Sequence, residues 1–208
     1  MICKICGGAL EAVDVISDKG LTSMPLCPRC DEGAIVDMKA RNKRVLTRKM
    51  TECGVPELYT GSSLSASDML FPGKEDVINA EKGIYYIGET GTGKTYRLAG
   101  WCSLLLSMGV QCRFYDFSDF VCDLRADFKR YNDHKREMLR AECIFFDNFD
   151  PSNQYMYDFI FNLVNALYTN RRQVFFSSLA LPPQSQLAMR ISQMTIQLEL
   201  QKGGGNAN

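Results

Sequence analysis

The sequence predicts an α/β fold: a parallel sheet layered between helices, with a small metal-binding unit and a linker helix ahead of it. Three observations point there. Gly88-Glu89-Thr90-Gly91-Thr92-Gly93-Lys94-Thr95 fits the P-loop pattern G-x-x-x-x-G-K-[ST] at every fixed position. Further on, the apolar run Cys143-Ile144-Phe145-Phe146 ends in Asp147. Near the N-terminus, Cys3-Lys4-Ile5-Cys6 is matched by Cys27-Pro28-Arg29-Cys30.

Bulk properties narrow the reading. A chain of 208 residues holds one core domain and a small appendage. Formal net charge is zero, so no global field steers the chain to nucleic acid, and any such contact must be a local patch. Hydrophobic residues make up 46%, ordinary for a folded protein. No apolar run is long enough to span a membrane and no signal-peptide core opens the chain, so a cytoplasmic location is expected. The nine cysteines are odd in number, and four sit in C-x-x-C pairs, which suggests a metal plus free thiols instead of a disulfide framework.

Residues 1–34 read as a zinc ribbon. Four thiolates at this spacing (Cys3, Cys6, Cys27, Cys30) suit tetrahedral Zn²⁺, and so short a segment has little core of its own. Gly7 and Gly8 fit the tight turn of a knuckle. A redox pair is the weaker reading, because no βαβ pattern surrounds either motif. A closed four-cysteine site leaves no open position for catalysis, so this unit is expected to bind a partner.

Residues 35–56 follow as a basic linker. Ile35, Met38, Val45, Leu46 and Met50 form an apolar stripe over a helix from Ile35 to Glu52. Lys39, Arg41, Lys43, Arg44, Arg48 and Lys49 outnumber Asp37 and Glu52. Such a helix suits either nucleic-acid phosphates or plain solvent exposure. Gly54-Val55-Pro56 ends it.

Residues 57–202 carry the nucleotide chemistry. Glu57 to Gly73 reads as a loop with a short helix around Ser67–Leu70, and Val77 to Lys82 leads into the strand Gly83–Ile87. The P-loop comes next, then a helix from Tyr96 to Met108 closing on Gly109. Inward-turned backbone N–H groups of Gly88 to Thr95 wrap phosphate oxygens, Lys94 reaches the β- and γ-phosphates, and the Thr95 hydroxyl ligates Mg²⁺. Val110–Phe117 reads as a strand, and Ser118 as the N-cap of a helix running to about Tyr131. Residues 132–140 are charged and read as surface, with the single His134 solvated among them. Asp147 takes the Walker B position, a carboxylate delivered to the Mg²⁺ side of the phosphates. Asn148 stands where many P-loop ATPases carry a second acid; an amide positions water but cannot take its proton. Pro151 to Asn170 reads as a buried helix with Tyr155, Phe159, Leu163, Ala166 and Leu167 on one face. A strand from Val174 ends at Ser177-Ser178, a helix from Gln184 to Met194 carries Arg190, and Ile196–Leu200 alternates like an edge strand. Cys53, Cys102, Cys112, Cys122 and Cys143 read as small core hydrophobes. Residues 203–208 read as a disordered tail.

In this order the parts resemble the DnaC/DnaI/IstB-like group of AAA+ ATPases. Gly54-Val55-Pro56-Glu57-Leu58-Tyr59 is similar to the G-I-P-x-x-[FY] phrase ahead of that group's nucleotide domain, and the resemblance runs from residue 3 to about residue 200. The small size and weak core motifs look like a phage-encoded version. The resemblance implies an αβα AAA+ core without a large lid. It implies a helicase loader that binds ATP, Mg²⁺, a DnaB-type hexameric helicase and single-stranded DNA, and self-associates through its ATP sites. It puts Ser178 at the sensor position and Arg190 in the arginine-finger region, with Met194 where a second arginine is common. Asn148, Ser178 and the single arginine depart from the group's pattern and imply slow or partner-stimulated hydrolysis. Three other readings stand beside the loader: an IstB-like transposition helper coating duplex DNA, an ATP-binding switch without turnover, and, ranked last, a small-molecule kinase.

Overall fold

A computed structural model describes residues 1–150, 156–183 and 185–202. An antiparallel hairpin comes first, β1 (Glu11–Ser17) with β2 (Gly20–Leu26), registered so that Ser17 faces Gly20 across a two-residue turn. It joins the two cysteine knuckles. Helix α1 (Glu32–Glu52) begins three residues before the expected Ile35, directly after the second knuckle. There the Asp31 carboxylate accepts from the Cys27 N–H at 2.8 Å, tying the helix start to the second cysteine knuckle.

The α1 stripe faces inward, with Met50 fully buried. Asn42 imitates a strand: its Nδ2 donates to the Asp14 carbonyl at 2.6 Å and its Oδ1 accepts from the Ile16 N–H at 2.9 Å, satisfying an open edge of β1. Lys49 Nζ donates to the Ser17 carbonyl at 2.7 Å, and Arg48 pairs with Asp18 at 3.1 Å. Two of the six basic residues thus fasten helix to hairpin, while Lys39, Arg41, Lys43 and Arg44 are exposed. The hairpin tip rests on the C-terminal end of the P-loop helix: a Cβ on Gly20 would meet the Met108 carbonyl oxygen at 2.9 Å.

After single 3-10 turns at Glu57–Tyr59 and Ser67–Met69 and a short helix α2 (Lys74–Ile78), strand and helix alternate. The elements are β3 (Gly83–Ile87), α3 (Lys94–Ser107), β4 (Cys112–Asp116), α4 (Phe117–Ala126), α5 (Tyr131–Arg140), β5 (Cys143–Asp147), α6 (Tyr157–Thr169), β6 (Gln173–Ser178), α7 (Gln186–Met194) and β7 (Thr195–Glu199). The sheet is parallel in the order β4-β5-β6-β3-β7, so β6 lies between the P-loop strand and the Asp147 strand. Both faces are covered, as parallel sheets require. Ile84, Phe145 and Phe175 pack toward Met50, Leu98 and Trp101 of α1 and α3. Ile144, Phe146, Val174 and Phe176 pack toward α4, α6 and α7. Phe145 stacks on Phe175 at 4.7 Å, carrying the core across strands.

Several expectations are corrected. Ser118 does not cap α4; Asp116 does, its carboxylate accepting from the Ser118 and Asp119 N–H groups at 2.8 and 3.2 Å. The helix stops at Ala126 because Asp127 turns extended and its side chain accepts from the Lys129 N–H at 3.0 Å, starting a new turn. Residues 131–140 then form a helix with Met138 buried. His134 is half-buried, not solvated: its ring meets Phe120 edge-on at 5.5 Å. Cys122 is exposed on α4, whereas Cys53, Cys102, Cys112 and Cys143 are buried as expected. The buried face of α6 is Ile160, Leu163, Val164 and Leu167. Phe159 instead packs on Phe128 and Tyr131. The expectations for Tyr155, for the helix start at Pro151 and Gln184 and for the 203–208 tail fall outside the described residues. No helix among the described residues is long and apolar enough to cross a membrane.

Gly83 opens β3 where any Cβ would overlap the Val174 carbonyl of β6. Gly83→Ala should therefore lower stability by about 3 kcal/mol or more, the scale of a core clash that only backbone movement relieves. Urea unfolding measures it, and a change below about 1 kcal/mol would contradict the close approach of the two strands.

Candidate nucleotide and metal sites

The P-loop leaves the buried strand β3 and turns into α3 through Gly91 and Gly93, both left-handed at φ 86° and 83°. Side chains rarely adopt that backbone, so glycine is required where the loop curls. Lys94, the first residue of α3, is 9% exposed. Its ammonium folds over the loop and donates to the Gly88 and Glu89 carbonyls at 2.6 and 2.8 Å. Burial lowers its pKa, with the Asp147 charge opposing. These carbonyls hold the ammonium over the loop, where phosphate oxygens offer it stronger acceptors.

Asp147 is 4% exposed. Its Oδ1 accepts from the Thr95 hydroxyl at 3.1 Å and from the Ser177 hydroxyl. The α3 start and the ends of β5 and β6 therefore converge on one carboxylate. Thr95 and Asp147 present the hard oxygen donors that Mg²⁺ takes together with phosphate oxygens, so the pair fits that ion, which would neutralise phosphate charge there.

A cavity of about 770 Å³ opens beside these groups. Its walls include Thr90, Gly91, Gly93, Lys94, Thr95, Asn148, Asp150 and Ser178. Tyr59, from the Gly54–Tyr59 stretch, and Phe149 add aromatic surface to the same wall. That stretch is pinned to the sheet: the Phe114 N–H donates to the Cys53 carbonyl at 2.7 Å, and Gly54 lies against the Phe114 carbonyl too closely for a side chain. Asn148 is left-handed at φ 54°. Its N–H donates to Ser177 Oγ at 3.0 Å and its Nδ2 to Asp116 Oδ2 at 2.7 Å.

The structure thus gathers Thr90, Gly91, Gly93, Lys94, Thr95, Asn148 and Ser178 around one space, with Asp147 bound to Thr95 beside it. Ser178 lines the cavity, its main-chain carbonyl accepting from the Gly88 N–H at 3.3 Å and its hydroxyl from the Ala180 N–H at 3.4 Å. The serine that touches Asp147 is Ser177, which the sequence reading passed over, as it did Asp116. Arg190 does not line this cavity; on α7 its guanidinium stacks 4.0 Å over the Tyr168 ring and donates to Gln193 at 2.8 Å. Met194, at the expected second-arginine position, is buried in the core.

At the other end of the chain the four knuckle sulfurs converge, all within 4.8 Å of one another. Cys3 and Cys30 lie 3.9 Å apart, Cys6 and Cys27 3.5 Å. A Zn–S length of about 2.3 Å gives a tetrahedral edge of about 3.8 Å, so the cluster has the size zinc needs. Hydrogen bonds from the Cys6 and Ile5 N–H groups lower the Cys3 pKa to about 7, while the Cys6 thiol and burial push Cys30 up to about 12. Crowded thiols cannot all ionise without a cation among them, and a bound Zn²⁺ would supply that charge and hold the hairpin base closed.

Solved structures that share the fold include three replication proteins. DnaI aligns with a TM-score of 0.58 and 19% identity, covering 72% of this chain and 93% of DnaI. The DnaC helicase loader aligns at 0.54 and 16%, covering 69% of this chain and 96% of that one. The replication initiator DnaA, bound to AMPPCP and single-stranded DNA, aligns at 0.57 and 18%, covering 72% and 51%. No family model matches the chain, and no curated protein matches its sequence. The chain has the AAA+ fold of these proteins, as its motif order predicts.

Lys94→Ala removes the ammonium that folds over the loop onto the Gly88 and Glu89 carbonyls. Affinity for ATP should fall at least about tenfold, a loss of about 1.4 kcal/mol or more; unchanged affinity by isothermal titration would sink the P-loop assignment. Elemental analysis should find stoichiometric zinc in the native chain and none in Cys27→Ser, with ATP affinity intact in both. Full metal retention in that variant would contradict a four-thiolate site.

Proposed function

We propose that the protein is an ATP-switched loader of a replicative helicase. The observation that carries this reading is the fold shared with DnaI and the DnaC helicase loader along nearly their whole solved length, here with a complete P-loop facing a buried acid. ATP binds in the cavity lined by Thr90, Gly91, Gly93, Lys94 and Thr95, with its phosphates against the loop N–H groups and Lys94, and Thr95 and Asp147 would hold the Mg²⁺ that neutralises phosphate charge. Asn148 and Ser178 face the γ-phosphate, and Arg190, outside its own cavity, leaves its Tyr168 and Gln193 contacts to reach a neighbouring protomer's. The zinc ribbon grips a DnaB-type hexameric helicase, and the ATPase domain contacts single-stranded DNA. The exposed basic residues Lys39, Arg41, Lys43 and Arg44 on α1 are a second phosphate-binding surface. A phage-encoded protein working in a bacterial host's cytoplasm is part of this reading.

An ATP-binding switch with little turnover is the second reading, and Asn148 in place of an acid favours it.

Native mass spectrometry with ATP, Mg²⁺ and the host's DnaB-type helicase tests the loader reading. The full chain should form a complex, and a chain starting at Ile35 should not. Absence of a complex in both cases, with filaments forming on duplex DNA, would replace the loader by a DNA-coating ATPase.

A further inference from the structure

We propose that Asp116 is a positioning residue for ATP hydrolysis: it holds the Asn148 amide so that Asn148 Oδ1 accepts a hydrogen bond from the attacking water. The inference rests on the ATP-binding reading above and deepens it.

The Asp147 strand ends without a second acid, but the neighbouring strand ends in one. Asp116 and Asp147 are direct partners in the β4–β5 register, so the two acids end neighbouring strands at the same end of the sheet. Asp116 divides its oxygens. Oδ1 takes the Ser118 and Asp119 N–H groups, and Oδ2 takes Asn148 Nδ2 at 2.7 Å. An ionised carboxylate only accepts, so the amide nitrogen must face Asp116 and the amide oxygen is left for the cavity that Asn148 lines. A second restraint fixes the same residue, since its N–H is bound by Ser177 Oγ, and Ser177 in turn donates to Asp147. The left-handed φ of 54° is one that asparagine tolerates better than most residues.

An amide so held orients water in the way a glutamine does in GTPases. The water oxygen bonds to the γ-phosphorus as the bond from that phosphorus to the bridging oxygen breaks, and ADP leaves with that oxygen. The water proton passes to a γ-phosphoryl oxygen and departs on inorganic phosphate. No carboxylate base is required, which accounts for an amide where an acid is common.

Steady-state ATP turnover, with single-stranded DNA present, is measured for the native chain, Asp116→Asn, Asn148→Ala and the double variant. Affinity for a fluorescent ATP analogue is read in parallel. Asparagine at 116 has one acceptor oxygen and cannot serve both the α4 N–H groups and Asn148. Asp116→Asn should lower kcat about 10- to 100-fold, the loss typical when an outer partner of a functional ligand is removed, with nucleotide affinity unchanged. In the Asn148→Ala background the same change should alter kcat by less than about twofold, because Asp116 acts through Asn148. Equal losses in both backgrounds would overturn the proposal by making Asp116 a helix cap only. So would a silent Asp116→Asn beside an inactivating Asp150→Asn, which would assign the role to the other acid on the cavity wall. A native chain that binds ATP without hydrolysing it also overturns it while sparing the ATP-binding reading; failure to bind the analogue would overturn that reading itself.

Discussion

A buried carboxylate governs this structure. Asp147 sits almost fully out of water at the end of a strand whose every residue is buried. Removing a carboxylate from water costs several kcal/mol unless hydrogen bonds replace the lost hydration. Here Thr95 brings one hydroxyl from α3, and Ser177 brings another from β6. Only a strand lying between the P-loop strand and the acid strand can present a serine there, so the order β5-β6-β3 and the compensation of one charge are a single arrangement.

Sequence reading reached what local spacing encodes. The P-loop glycines, the Asp147 strand, the apolar stripe of α1 and the four knuckle cysteines all lie where their patterns put them, because each pattern reports geometry within a few residues or one ligand sphere. Ser177, Asp116 and His134 were missed for a common reason. Which of two adjacent serines faces an acid depends on which strand lies next to which. Asp116 ends a strand and also caps a helix, and a cap read two residues late at Ser118 hides the bond to Asn148. His134 belongs to a helix whose polar composition masks a half-buried face against Phe120. Cys122 shows the converse, since an apolar-ranking residue can fall on the outer side of an amphipathic helix.

The N-terminal unit is secured to the rest mainly by polar contacts. Asn42, Lys49 and Arg48 satisfy backbone groups and a charge on the hairpin, while apolar packing there is limited to Val13 and Ile16 among the buried residues. Exposed ion pairs such as Arg48–Asp18 contribute little, about 0–1 kcal/mol. The backbone contacts of Asn42 and Lys49 therefore matter more for orientation than the charge pair does.

Gly20, at the hairpin tip, touches the last turn of α3, the helix whose first turn holds Lys94 and Thr95. A helix of 14 residues is about 21 Å long and nearly incompressible along its axis. It works as a pushrod with the phosphate loop at one end and the hairpin at the other. A shift of its first turn along the axis would reach Gly20 directly, without passing through α1.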